Sequence, residues 1–164
     1  MTVLERLRPD HAPALLAFEL ENRTYFAASI PDRGDDYFAG FDTRHRELLD
    51  EQAAGLHHFH IVADGDGSVL GRVNLVHVAD GSAELGYRIA ERAAGRGLAT
   101  SAVRQVCALA LAEYGLSVLR AETTLDNAGS QAVLARNGFV RAREITLDGR
   151  PGLSFTRIPT DGPL

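Results

Sequence analysis

A glycine-rich turn near the middle of the chain is the first candidate for a binding site. Gly95 and Gly97 stand between an apparent strand, residues 84–89, and an apolar stretch that begins at Leu98. Glycines let the backbone approach a ligand, and the free N–H groups and dipole of a helix start favour an anion. Because short glycine motifs have many false positives, two interpretations stay open on the turn alone. It is either a phosphate site or an ordinary strand-to-helix turn that needs two glycines.

Three histidines and a cysteine are further candidates for metal binding or nucleophilic catalysis. His57, His58 and His60 are close enough in sequence to suggest a metal site. In a strand, however, only His58 and His60 would share a face, and no further ligand is evident. Cys107 lies on the apolar face of a predicted helix with no histidine beside it, which favours a core position over a nucleophile. We therefore expect no metal.

Composition limits the classes of function that the chain can have. It has 164 residues, of which 45% are hydrophobic and 24% charged, as is typical of one globular domain. The net charge of −5 comes without a basic stripe, so nucleic acid is not an expected partner. All 17 basic residues are arginine, which excludes the Schiff-base chemistry of lysine enzymes.

The sequence shows neither a membrane-spanning segment nor a signal peptide. No apolar run is long enough to span a membrane, and residues 1–6 lack the regions of a signal peptide. The chain contains a single cysteine, which suits a reducing compartment. We therefore expect a cytoplasmic protein with no membrane partner.

Apolar periodicity predicts the elements that would position the turn. Strands are expected at residues 2–7, 59–63, 69–78, 83–89, 118–124, 139–147 and 152–157. Four helices are expected: one after Asp10, then 35–54, 98–114 and 127–137. The middle of the sheet should be antiparallel, whereas the strands before and after the helix at 98–114 should run parallel through a right-handed crossover. Residues 1–158 should form a single domain, and residues 159–164 a loose tail.

Three segments in this order of elements resemble a known family. They are residues 84–89, residues 95–100, and residues 127–130 continuing to Asn137, Gly138 and Phe139. Together they resemble the GNAT superfamily of acyl-CoA-dependent N-acyltransferases, and within it the ribosomal-protein N-acetyltransferase-like branch, which modifies protein N-terminal amines. The resemblance implies an α+β fold: a mixed, mostly antiparallel sheet of six to seven strands, splayed between the fourth and fifth strands, with about four helices on both faces.

The same resemblance implies an acetyl-CoA site. The pyrophosphate loop of the family would lie at residues 95–100, and pantetheine would lie in the splay, pairing with the backbone of the fourth strand. A bulge is expected in that strand, for which Gly86 is suitable. The implied cofactor contacts are Tyr87, Arg88, Ile89, Arg92, Gly95, Arg96, Gly97, Leu98, Ala99, Thr100, Asn127 and Ser130.

The glycine loop departs from the family pattern, which has Gln or Arg three residues before the first glycine. Aligned on Gly97 and Ala99, that first position is Ala94, whereas Arg92 and Gly95 fit the pattern two residues earlier. Which side chain assists the phosphates therefore stays open. The backbone N–H groups from Arg96 to Thr100 are the safer assignment.

Two residues are expected to carry the chemistry, each with a structural alternative. Transfer needs a neutral amine, so a base is useful; Glu84 is our candidate, and otherwise it is a solvated carboxylate paired with an arginine. Ser130 would hydrogen-bond the leaving thiolate, and otherwise it is only a first-turn helix residue. Asn127 would contact pantetheine in addition to capping its helix.

The acceptor is the least defined part. Early helices line the acceptor groove in the family, so Asn22, Tyr25, Phe26 and Tyr37 are expected to line it here, unless they only pack helices. The acceptor could be a protein N-terminus or a small amine such as an antibiotic or polyamine. A non-catalytic acyl-CoA-binding module is the alternative class, and a dinucleotide-binding domain is a weaker one because the full G-x-G-x-x-G pattern is absent. The protein is expected to be a monomer or a homodimer.

Overall fold

The computed structural model describes residues 1–158, so the expected tail at 159–164 lies outside the described residues. Its centre is a seven-stranded mixed sheet in the order β1-β2-β3-β4-β5-β7-β6. The strands are β1 (Thr2–Arg6), β2 (His58–Asp64), β3 (Val69–Ala79), β4 (Ser82–Ile89), β5 (Val118–Thr124), β6 (Val140–Leu147) and β7 (Arg150–Arg157). The α+β fold class expected from the sequence is confirmed.

In residues 1–158, six α-helices accompany the sheet: α1 (Ala12–Glu21), α2 (Arg23–Ala27), α3 (Asp35–Ala39), α4 (Phe41–Ala53), α5 (Leu98–Ala112) and α6 (Ala128–Arg136). The sequence predicted about four, because the first two predicted helices are each interrupted once. The breaks occur at Asn22 (φ −103°, ψ 9°) and Gly40 (φ −100°, ψ 20°), where the backbone leaves helical geometry. No helix in the described part of the chain is long and apolar enough to cross a membrane.

The sheet opens between β4 and β5. These strands are parallel, as predicted, but they pair only from Ser82–Val118 to Glu84–Arg120. Beyond Glu84, β4 continues to pair with β3 as far as Ile89, whereas β5 pairs with β7. The second half of β4 therefore has no strand on its β5 side, and alternate backbone groups there face the gap.

The bulge expected at Gly86 is not present in the β3–β4 ladder, which passes through Gly86 without a change of register. The register shift falls instead between Val76 and Ala79, next to His77, whose φ is +54°. The sheet therefore opens because β4 and β5 stop pairing after Glu84, and no register shift at Gly86 is involved.

Apolar clusters cover both faces of the sheet. One cluster joins β3, β4 and β5 to α5 and α6, and it includes Cys107 as a buried core residue, as predicted. The other packs α1, α2 and α4 against β2. Alternation along β4 sends Leu85 and Tyr87 toward α5 and α6 and Arg88 toward α1, where it meets Glu19.

Candidate active site

The glycine turn has the geometry of an anion site. Gly95 and Gly97 both have φ of +75°, and a Cβ built on either meets no heavy atom within 4 Å. Helix α5 starts at Leu98 with no side-chain cap. In contrast, Asn127 caps α6 by accepting a hydrogen bond from the N–H of Ser130 at 3.0 Å. The first N–H groups of α5 thus remain available to a ligand.

This turn forms one wall of the larger of two neighbouring cavities, which has a volume of about 470 Å³. The cavity runs from the turn and the start of α5 along the open half of β4 to α6. The residues expected at the site that line it are Tyr25, Phe26, Tyr87, Arg88, Ile89, Gly95, Gly97, Leu98, Ala99, Thr100, Asn127 and Ser130. Tyr25 and Phe26 were expected at the acceptor, and the others as cofactor contacts; the roles of all of them remain predictions.

The smaller cavity, of about 290 Å³, adjoins the first. Its walls are the segment after α2, the open end of β5 and the turn between β6 and β7. The side chain of Arg150 joins these walls by donating to Asp126 at 2.5 Å and to the carbonyl of Ser29 at 3.4 Å. Glu122 and Asp148 supply carboxylates to the lining.

The two cavities meet at five residues that line both: Ser29, Ile30, Tyr87, Asn127 and Ser130. Burial raises the pKa of the Tyr87 phenol, and hydrogen bonding with Ser130 opposes that rise. Two hydroxyl groups, one from β4 and one from α6, are therefore close together where the cavities join. A group held in one cavity can react there with a group held in the other.

Arg92 and Arg96, two of the expected cofactor contacts, do not line either cavity. Arg92 donates to Ser68 Oγ at 3.1 Å and lies 3.6 Å from Glu21. The guanidinium of Arg96 folds back onto the carbonyl of Arg92. These side chains are engaged away from the cavity, and the turn contributes to the cavity wall through Gly95 and Gly97.

Three further expected residues also stand apart from the cavity walls. Asn22 is 3% exposed, and it donates to the carbonyl of Phe18 while accepting from the N–H of Glu91. The Tyr37 hydroxyl lies 3.3 Å from Arg72, which donates to it. Glu84 is at the paired end of β4, opposite Arg120, so its role as a base remains a prediction.

The three neighbouring histidines have separate partners. His57 accepts from the N–H of His77, His58 stacks on Tyr114 at 3.8 Å between ring centroids, and the His60 ring bonds Val73 and Tyr114. Across residues 1–158, no group of three or more histidine, cysteine or acidic side chains is arranged to hold a metal.

Sequence reasoning missed several wall residues, among them Ser29, Ile30, Glu122, Arg136 and Arg150. Arg136 brings a guanidinium to the larger cavity from the last turn of α6. Glu122 had a detectable signal, because it stands on the exposed face of a strand whose alternate residues are buried. The others depend on how distant segments come together, which no local pattern reports.

Comparison with known proteins identifies the family. The family model described as the Acetyltransferase (GNAT) domain matches residues 2–140. The chain is 31% identical over 132 residues to the probable N-acetyltransferase YjcK of Bacillus subtilis (strain 168). That match covers 76% of this chain and 72% of the relative.

Solved structures share the fold at low identity. The ribosomal-protein-S5-alanine acetyltransferase of Vibrio fischeri superimposes with a TM-score of 0.90 at 20% identity, covering 96% of this chain and 92% of its own. Mycobacterium smegmatis RimJ, in complex with CoA-disulfide, gives 0.85 at 23% identity and coverages of 96% and 81%. A chimera of the spermidine N-acetyltransferase SpeG from Vibrio cholerae and hSSAT gives 0.80 at 15%, with 96% and 95% covered.

The residues present suit the acyl donor of this family, acetyl-CoA. The open glycine turn and the uncapped start of α5 offer N–H groups to a pyrophosphate. The unpaired half of β4 offers backbone groups to an extended arm. The matched domain model covers most of the chain, the curated relative exceeds 30% identity, and the sheet opens where this donor would enter. The chain is an acetyltransferase that belongs to the GNAT family.

Proposed function

We propose that this protein transfers the acetyl group of acetyl-CoA directly to a primary amine, most readily the α-amine of a protein or peptide N-terminus. One observation carries the proposal: two cavities of suitable size meet at Tyr87, Asn127 and Ser130, in the opening between β4 and β5. A thioester in the larger cavity and an amine in the smaller one would meet there without a covalent enzyme intermediate.

The larger cavity would hold the donor, which supplies an activated acetyl thioester. The N–H groups at Gly97, Leu98 and Ala99 would bind the pyrophosphate, and the guanidinium of Arg136 would add positive charge on the α6 side. The backbone of residues 87–89 would hold the pantetheine arm as an added strand. An N–H from the same stretch would stabilise the oxyanion that forms as the amine attacks.

The smaller cavity would hold the acceptor. At pH 7 roughly one α-amine in ten is neutral, compared with roughly one lysine-like amine in a few thousand. An N-terminal amine therefore needs the least help from a base. Two carboxylates are candidates for that base: Glu84, which the sequence suggests, and Glu122, which lines the smaller cavity. Asp148 and Glu122 also make its lining attractive to a cationic group.

The leaving thiolate would receive its stabilisation from the hydroxyl groups at the junction. Ser130 lies in the first turn of α6, and its backbone N–H is already bound by Asn127. The Ser130 hydroxyl is therefore not needed as a helix cap. It hydrogen-bonds Tyr87, and it would donate to sulfur instead as charge develops there.

A small amine, such as a polyamine or an amine-bearing antibiotic, is the second candidate acceptor. The carboxylates of the smaller cavity favour it as well, and one structural neighbour is named as a spermidine acetyltransferase. The single cysteine and its burial support action in the reducing cytoplasm. The proposal includes both a monomer and a homodimer as the form of the protein.

A screen of acceptors tests the proposal. The protein is incubated with acetyl-CoA and peptides that differ only in their first residue, alongside spermidine and other small amines, and products are identified by mass spectrometry. Thiol release with acetyl on a peptide α-amine is the expected result. Acetylation of small amines alone would select the second candidate. Tight coenzyme A binding with no product from any amine would favour a non-catalytic binding module.

A further inference from the structure

The carboxylate of Glu19 is the centre of a buried ionic cluster next to the two cavities. It is 1% exposed, and it accepts hydrogen bonds from Arg72 at 2.7 Å, Arg88 at 3.0 Å and Arg33 at 3.1 Å. The three arginines come from different parts of the fold: Arg72 from β3, Arg88 from β4 and Arg33 from the segment 28–34. One side chain of α1 therefore joins three separate elements.

Its protonation state keeps this junction intact. Burial by itself would raise the pKa of Glu19, but the nearby guanidiniums of Arg72, Arg33 and Arg88 outweigh it and hold the pKa below its usual range. Burial, together with the neighbouring positive charges, lowers the pKa of Arg88 to about 10. Glu19 and Arg88 are therefore both charged at neutral pH, and three guanidiniums converge on one carboxylate.

Arg33 links this cluster to the segment that borders both cavities. Segment 28–34 contains Ser29 and Ile30, which line the larger and the smaller cavity alike. The Arg33 guanidinium lies over the ring of Tyr37, 4.7 Å from its centroid, and reaches Glu19 from there. This contact ties the end of the segment to Glu19, and next to it Asp32 accepts from Arg23 at 2.8 Å. Arg150 contacts Ser29 through a longer bond of 3.4 Å.

Arg88 links the same cluster to the opposite wall. It stands between Tyr87 and Ile89, the open half of β4 that faces β5, and it lines the larger cavity. Its guanidinium also lies over the ring of Phe26, 4.6 Å from the centroid. Glu19 thus sets the distance between the segment after α2 and the strand where the reaction would occur.

We propose that Glu19 is a positioning residue for acetyl transfer: through Arg33 and Arg88 it holds segment 28–34 against β4, so that the acceptor is aligned with the acyl donor. This inference rests on the proposed function. It predicts that loosening the segment harms use of the acceptor more than binding of coenzyme A, because the coenzyme is held mainly by the glycine turn.

Arg33→Met is the sharpest variant, since it removes the bond of the segment to Glu19 and leaves Arg72 and Arg88 on that carboxylate. Arg44→Met is the matched control. Arg44 also bonds carboxylates at 3.0 and 3.1 Å, but it lies on α4 and contacts neither cavity wall. Measured quantities are the melting temperature, the affinity for coenzyme A by calorimetry, the kinetic constants for the best acceptor, and amide hydrogen exchange in segment 28–34.

For Arg33→Met we expect exchange in the segment to become about tenfold faster and kcat/KM for the acceptor to fall about tenfold, the scale of one charged hydrogen bond. The expected change in coenzyme A affinity is less than about threefold. Arg44→Met should show none of these effects. Glu19→Gln should give the same kinetic pattern more strongly if it folds, because Arg88 also loses its partner.

Two results would overturn the inference: unchanged exchange in the segment, or faster exchange with unchanged kinetic constants. An equal fall of kcat/KM in Arg33→Met and Arg44→Met would indicate general destabilisation and would also overturn the inference. If wild-type protein acetylates no amine, the proposed function fails, and so does the positioning role. Hydrogen exchange would still report whether Arg33 holds the segment, which separates the two failures.

Discussion

The side-chain oxygen of Asn22 accepts a hydrogen bond from the backbone N–H of Glu91 at 3.0 Å. This contact joins the end of α1 to the residues that lead into the glycine turn. The amide of the same side chain donates to the carbonyl of Phe18 at 2.9 Å. Asn22 was predicted from the sequence to contact the acceptor, whereas its bonds point to a role in fixing the approach to the turn.

Replacing Asn22 separates these two roles. Asn22→Ala removes a partly buried bond from the N–H of Glu91 and a buried bond to the carbonyl of Phe18, so the free energy of unfolding should fall by about 1–3 kcal/mol. Denaturant unfolding measures that loss. Affinity for coenzyme A should weaken with it, because the turn is less well fixed. A raised KM for the acceptor with unaltered stability would instead support the contact role.

Gly97→Asp tests the anion site. A side chain at φ of +75° is strained, and its charge would repel phosphate, but it meets no atom within 4 Å. Affinity for coenzyme A, measured by calorimetry, should therefore fall about ten- to a hundredfold in a folded protein. Gly55→Asp is the matched control, because Gly55 has φ of +76° and equally open space at the end of α4. Equal affinities in the two variants would reject the assignment.

Particular residues show which features of the fold and of the site could be predicted from the sequence. The turn at Gly95 and Gly97 and the cap at Asn127 were predictable, because backbone freedom and capping are local properties. The family resemblance supplied the splay between β4 and β5, which depends on where pairing stops. Two helix breaks, at Asn22 and Gly40, were missed because single residues with modest departures carry little signal in an otherwise helical pattern.

The acceptor side was harder to predict for a physical reason. Glu122, Arg150 and Ser29 become neighbours only when β5, the β6–β7 turn and the segment after α2 fold together. Likewise, Glu19 sits in a mostly apolar helix, and its partners Arg72 and Arg88 are more than fifty residues away. Long-range charge pairing leaves no periodic trace in a single sequence.

Two carboxylate variants address the base. Glu84→Gln and Glu122→Gln each remove a proton acceptor without changing side-chain size. The variant that lacks the base should lose turnover most at low pH, where little acceptor amine is neutral, and should bind acetyl-CoA normally. The pH–rate profiles of the two variants and the wild type decide the assignment. Overlay of all three profiles would mean that another group or bulk water is the base.

The pH dependence of stability should report on His60. Burial lowers the pKa of His60 to about 4, although its bond to the carbonyl of Val73 opposes the shift. In the unfolded chain the ordinary value is 6.5, so the unfolded state gains a proton first as the pH falls. Folding stability is therefore lost between about pH 6.5 and pH 4, and the loss levels off below that range.

Between pH 7 and pH 5 this group should cost about 2 kcal/mol of stability. Urea unfolding at both pH values measures the total loss, to which His11 and His58 also contribute because burial lowers the pKa of each. His60→Gln isolates the share of His60: the variant should lose about 2 kcal/mol less over the same range. An equal loss in both proteins would assign the effect to other groups.

Ser130→Ala tests the stabilisation of the leaving group. As the thioester breaks, negative charge grows on sulfur, and a hydroxyl in hydrogen-bond reach would stabilise it only at that stage. An interaction confined to the transition state affects turnover rather than ground-state binding. The variant should therefore turn over about ten- to a hundredfold more slowly, with nearly unchanged affinity for acetyl-CoA.

In the structural alternative, Ser130 is only a residue of the first turn of α6. The contacts of α6 allow this role to be separated from the catalytic one. Asn127 accepts from the N–H of Ser130, and this bond survives loss of the hydroxyl. Ser130→Ala removes only the bond between the hydroxyl and Tyr87, so the free energy of unfolding should fall by no more than about 1 kcal/mol. In contrast, Asn127→Ala removes the cap and should cost about 0.5–2 kcal/mol. Melting temperature and turnover are measured on one preparation of each variant; a stability loss in Ser130→Ala with normal turnover would contradict the catalytic role.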